Sequence, residues 1–81
     1  MDDRQILRQI DELIQTEHSL RSRLATGQLT TEDEHARLRA AEEELDQCWD
    51  LLRQRRALRD AGADPGSATP RAASDVEGYL Q

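Results

Sequence analysis

Apolar side chains in the first third of the chain fall at Ile6, Ile10, Leu13, Leu20 and Leu24, with Glu17 in the one place the pattern skips. The steps alternate four and three, the spacing of a heptad seam, and predict an α-helix over about residues 3–25. The pattern returns at Leu38, Ala41, Leu45, Cys48 and Leu52 and runs on to the polar Arg55 and Arg59. A second helix is therefore expected over about 31–60. Thr31-Glu32-Asp33-Glu34 has the form of a capping box at its start. Arg53, Arg55, Arg56 and Arg59, followed by Gly62 and Pro65, mark its end.

The intervening loop, residues 26–30 (Thr26-Gly27-Gln28-Leu29-Thr30), is short enough to force the helices antiparallel. Gly27 stands where a helix C-terminus wants positive φ. Folding about this loop sets Leu24 beside Glu34, Leu20 beside Leu38 and Glu17 beside Ala41. Further along, Leu13 meets Leu45, Ile10 meets Cys48 and Ile6 meets Leu52. Both seams stay in register over roughly 30 Å of helix, so the expected fold is all-α, an antiparallel two-helix coiled-coil hairpin. Glu17 beside the small Ala41 reads as a polar seam residue that fixes register at some cost in stability. Asp2 and Asp3 are expected near Arg55 and Arg56, each pair suiting the dipole of its own helix.

The seams leave large apolar residues over. Leu7 and Ile14 flank the first, and Trp49, Leu51 and Leu58 flank the second, all in the half away from the loop. A two-helix hairpin covers one stripe per helix, and burying a Leu or Ile side chain is worth about 1.5–3 kcal/mol. These five residues are thus expected to drive association. The simplest outcome is a homodimer that closes a four-helix bundle. Two other covers exist, namely the C-terminal tail of the same chain or an unidentified protein partner.

Length sharpens the point, because 81 residues make at most one thin domain. Chains of this size rarely gain more than roughly 3–5 kcal/mol from one core. A net charge of −6 argues against general affinity for nucleic acid or anionic membrane, although the Arg cluster at 53, 55, 56 and 59 has the charge to touch phosphates. That cluster lacks interleaved aromatics and is surrounded by Asp2, Asp3, Asp50 and Asp60. All eleven basic residues are Arg, which reads as coding bias before function. No apolar run approaches the roughly 20 residues of a membrane span, and Met1-Asp2-Asp3-Arg4 does not open a signal peptide. With a single cysteine, no internal disulfide forms, and a cytoplasmic setting is expected.

Beyond the second helix, residues 61–73 (AGADPGSATPRAA) are small, broken by Pro and Gly, and unpatterned, and read as a flexible linker. Residues 74–81 change character. Ser74-Asp75-Val76-Glu77 is another capping box, and Val76, Tyr79 and Leu80 would share one face of a single helical turn. A lone turn is unstable in water, so these three residues read either as a docking motif for a partner or as a frayed terminus.

Motifs for enzymatic chemistry are absent: no Gly-rich phosphate loop, no CxxC, no nucleophile with a base. No cofactor is expected, and Cys48, on the seam, is expected as a buried thiol of low reactivity. Glu32 and His35 have the Glu-x-x-His spacing of di-iron bundles, but they sit in a first turn, and such sites need two of these motifs plus two further Glu. A metal- or redox-linked bundle is thus one alternative function. Another is a transcription regulator that touches RNA polymerase or a sigma factor with the acidic tip Glu32-Asp33-Glu34.

The segment GQLTTEDEHARLRAAEEELDQCWDLLRQRRA, Gly27 to Ala57, with the ending VEGYLQ, resembles a family of short actinobacterial proteins classed only as a domain of unknown function. Residues 45–56, LDQCWDLLRQRR, are the most specific part. The resemblance implies a helical hairpin and supplies neither an activity nor site residues. The segment SLRSRLATGQL is also loosely similar to helical-hairpin anti-sigma factors that bind a cyclic dinucleotide. Their acidic and Gln positions are replaced here by Gln15, Ser22, Thr26 and Thr30. The reading reached is a small non-catalytic protein-interaction module that binds itself.

Overall fold

A computed structural model describes residues 1–71. It is all-helical over that range, with α1 spanning Asp3–Ala25, α2 spanning Glu32–Asp60, and a short 3₁₀ turn at Pro65–Ser67. The two long helices pack as the hairpin that the seams require.

Helix ends follow from local chemistry. Asp2 caps α1 by accepting from the Gln5 backbone N–H at 2.8 Å, while the Gln5 side chain accepts from the Asp2 N–H, also at 2.8 Å. This reciprocal box is a role of Asp2 beyond the expected proximity to Arg55 and Arg56 and the favourable dipole. At α2 the box is half made. Thr31 Oγ1 accepts from the Glu34 N–H, but the Glu34 side chain bonds the Thr31 hydroxyl instead of reaching back to the backbone. Its carboxylate also pairs across the loop with Arg23.

Both helices end in the same way. The Gln28 N–H reaches the Arg23 carbonyl (2.7 Å) and the Gly27 N–H reaches the Leu24 carbonyl (3.1 Å). Ala63 and Gly62 do the same to Leu58 and Arg59 at 2.8 and 3.0 Å. This Schellman pattern needs a left-handed residue, supplied by Gly27 at φ 74° and Gly62 at φ 76°. Nothing lies within 4 Å of where a Cβ would stand on Gly27. Gly27→Ala is therefore expected to cost only the backbone strain, about 1–2 kcal/mol, read as a lower urea midpoint at unchanged helical signal.

The core is divided. Ile6, Ile10, Leu45, Cys48 and Leu51 form one buried cluster, with Leu13, Leu52 and Ala68 packed against it. Leu20, Leu29 and Leu38 form a second at the loop end. Between them stand Ala41, buried, and Glu17, half-buried and 3.7 Å from Arg21. Leu24 departs from the expected seam and is exposed. Arg23 takes the place opposite Glu34, and Leu29, folded in from the loop, closes the apolar end instead.

Residues 61–71, read from composition as a linker, turn back along α2. Ala68 packs against the main cluster, and backbone carbonyls of the segment accept from α2 side chains. Gln54 donates to Thr69 O (2.8 Å), Arg55 to Pro65 O (3.2 Å) and Gln47 to Arg71 O (3.1 Å). We call this segment the strap. It explains why Leu51, expected on the surface, is buried. The expected docking turn at Val76, Tyr79 and Leu80 lies outside the described residues. No described helix is long and apolar enough to cross a membrane.

Candidate interaction surface

The five surplus apolar residues divide between two faces. Gln47, Leu51, Gln54 and Leu58 recur at steps of four, three and four, so they share one side of α2. The strap lies along this side. Leu51 is 7% exposed and Leu58 half-buried, so neither offers the open surface expected of it.

Leu7, Ile14 and Trp49 behave differently, remaining 50%, 45% and 43% exposed. Two observations put them on one face. At the open end of the hairpin, Asp3, Trp49, Leu52, Arg53, Arg56 and Arg59 line a common hollow of about 270 Å³. Towards the loop, Arg21 of α1 pairs with Glu42 of α2. On α1, the residues Asp3, Leu7, Ile14 and Arg21 follow at steps of four, seven and seven; on α2, Glu42, Trp49 and Arg56 follow at steps of seven. Residues at these steps share a helix face. Both rows are thus pinned at both ends to the same side of the hairpin, opposite the strap. Their middle carries Leu7, Ile14 and Trp49.

Ion pairs frame the hairpin. Asp3 accepts from Arg55 and, at 2.8 Å, from Arg59. These two guanidiniums, Arg59 first, hold the Asp3 carboxyl below its ordinary range. The expected pairing of Asp2 and Asp3 with Arg55 and Arg56 is met only for Asp3 and Arg55, since Asp2 caps its helix and Arg56 lines the hollow beside Trp49. The Arg cluster thereby turns partly inward, onto carboxylates of its own chain.

Under the strap lies a group that the sequence did not single out. Asp50 is fully buried, and its carboxylate accepts from both ends of the Arg71 guanidinium, with 2.8 Å at Nε. Gln54 Nε2 adds a third bond at 2.9 Å, and Arg53 stands 3.5 Å away. Arg71 is the main reason that the carboxyl titrates below its ordinary range. Burial opposes this shift, and Gln54 supports it. A buried charge held by a bidentate guanidinium is the form in which such groups are tolerated. The available signals were Asp50 flanked by Gln47 and Gln54 one turn away on the same side, and Arg71 as the one basic residue after α2.

Cys48 is buried, and desolvation, aided by nearby Glu44, pushes its thiol upward, away from the reactive thiolate. Glu32 and Asp33 are exposed in the first turn of α2, while Glu34 is tied to Arg23. Among the described residues no three of His, Cys, Asp and Glu converge on a metal site.

An uncharacterised protein of Mycobacterium bovis is 51% identical over 77 residues, which is 95% of this chain and 88% of that protein. Uncharacterised proteins from two strains of Mycobacterium tuberculosis match to the same extent. No solved structure matches. The family described as "Protein of unknown function (DUF2630)" matches residues 2–81, nearly the whole sequence, and the chain belongs to that family.

Proposed function

We propose that the chain is a non-catalytic protein-interaction module that self-associates through the face carrying Leu7, Ile14 and Trp49. The observation that supports this reading is the exposure of three large apolar side chains on one side of the hairpin. The strap and the two core clusters cover, wholly or in part, the other large apolar side chains of the helices apart from Leu24 at the loop end. Each such side chain gains about 1.5–3 kcal/mol on full burial, a drive that a second hairpin meets without rearrangement of the first. Trp is also the residue type that most often anchors a protein interface. The single, buried cysteine suits a reducing compartment, and the reading assumes a cytoplasmic setting.

Light scattering on a sizing column, across micromolar concentrations of the full chain, tests the reading. The expected mass is that of a dimer. Leu7→Ala combined with Trp49→Ala is expected to give a monomer of unchanged helical content, because both side chains lie outside the core clusters. A wild-type monomer at every concentration, or an unaltered dimer in the double variant, would remove this face as the site of association.

A further inference from the structure

The two rows on the open face have a symmetry of their own. On α2, Trp49 stands midway between Glu42 and Arg56, seven residues from each, so the row reads acid, indole, base. On α1, Leu7 and Ile14 stand on either side of Ile10 and Asp11. Ile10 and Cys48 belong to the same cluster, so Trp49 lies level with the stretch between Leu7 and Ile14. One point on the face therefore relates Leu7 to Ile14 and Glu42 to Arg56, with Trp49 beside it.

Such a row is complementary to its own reverse. Seven residues of helix span about 10 Å, so the two charges stand that far to either side of the indole. Turned end for end against a copy of itself, the row sets Glu42 against Arg56 at both rims. Laid against itself in the same direction, it would set like charges together. Arg56 has no ion-pair partner among the described residues, whereas Arg21, Glu42, Asp3 and Arg59 already have partners within the chain.

We infer that the occupant of this face is a second copy of the chain, docked antiparallel about a two-fold axis that passes beside Trp49. The inference rests on the self-association proposed above and assigns its geometry. In this dimer Trp49 packs against the partner's Trp49 at the centre, where interface anchors concentrate. Leu7 meets the partner's Ile14, and Ile14 the partner's Leu7. Arg56 meets the partner's Glu42 at each rim. This gives an apolar centre with a polar edge, the usual anatomy of an interface. The contact is isologous and closes, so it yields a discrete four-helix assembly and not a fibre. The strap lies on the opposite side of each hairpin and stays in place on docking. An arrangement with α1 packed over the partner's α2 would bring Glu42 to the partner's Arg21, and it is the competing outcome.

Charge reversal in the full chain separates these cases. Glu42→Arg and Arg56→Glu are each expected to weaken the dimer by about tenfold or more, since each exchanges two attractions for two repulsions. An equimolar mixture of the two variants is expected to recover the wild-type dissociation constant as a heterodimer. In that heterodimer one chain carries only positive rims and the other only negative ones. Circular dichroism of each variant checks that the hairpin persists, and light scattering reads the mass. A wild-type dimer whose variants fail to recover on mixing overturns the antiparallel geometry and leaves self-association standing. A wild-type monomer overturns both.

Discussion

Ile6→Ala is expected to remove most of the folding stability. Ile6 is fully buried and belongs to the larger of the two clusters, packed with Ile10, Leu45, Cys48 and Leu51. Truncating a buried isoleucine to alanine costs about 2–5 kcal/mol, through lost transfer energy and the void left behind. The whole stability of a chain this short is roughly 3–5 kcal/mol, so one substitution removes a large part or all of it. Urea titration followed by far-ultraviolet circular dichroism, at one fixed protein concentration, reads the effect. Arg8→Ala, two residues away and exposed, is the control and should stay within about 0.5 kcal/mol of wild type. Equal midpoints for the two variants would mean that the hairpin does not close on Ile6.

The second large effect depends on pH. Arg71→Ala leaves the Asp50 carboxylate buried without its principal partner, a loss of about 1–3 kcal/mol for an acceptor stranded in this way. In the wild type the Asp50 carboxyl titrates below its ordinary range, so the folded state binds the proton less readily than the unfolded chain does. Its contribution is therefore fully present above about pH 4, the ordinary value for Asp, and fades as pH falls through the lower folded value. Without Arg71 the largest of the lowering influences is gone while burial still opposes ionisation, so acid removes less stability through this group. The gap between wild type and Arg71→Ala is thus expected to be widest at pH 7 and to shrink markedly by pH 3. Urea midpoints at the two pH values decide the matter. A gap of constant size would show that Arg71 holds the strap by packing alone.

The hairpin was legible in the sequence because its causes are periodic. Four-three spacing gave both helices, Gly27 gave the turn, and the match of Leu20 to Leu38 and Ile10 to Cys48 gave the register. The strap was not legible, for an equally physical reason. Its bonds to α2 run mostly through its own carbonyls, at Pro65, Thr69 and Arg71, and every residue type has a carbonyl. Small unpatterned residues therefore look the same whether they trail in solvent or lie along a helix. Cover by the tail of the same chain stood among the alternatives, but no periodic signal told which of the five residues it would take, and the strap takes Leu51 and part of Leu58. Leu29 escaped notice because a loop has no period from which to infer burial. On the open face, by contrast, Leu7, Ile14 and Trp49 stand as the pattern required, since nothing in the described chain covers them.

The break in the apolar seam at Glu17 and Ala41 also bears on how the molecule opens. The two clusters share no buried side chain, so separating Leu20, Leu29 and Leu38 forfeits none of the packing around Ile6 and Ile10. Cooperativity is consequently weakest halfway along the hairpin. Backbone amides near the loop can exchange with solvent through a partial opening, while those flanking the larger cluster wait for the rarer excursion that separates the helices completely.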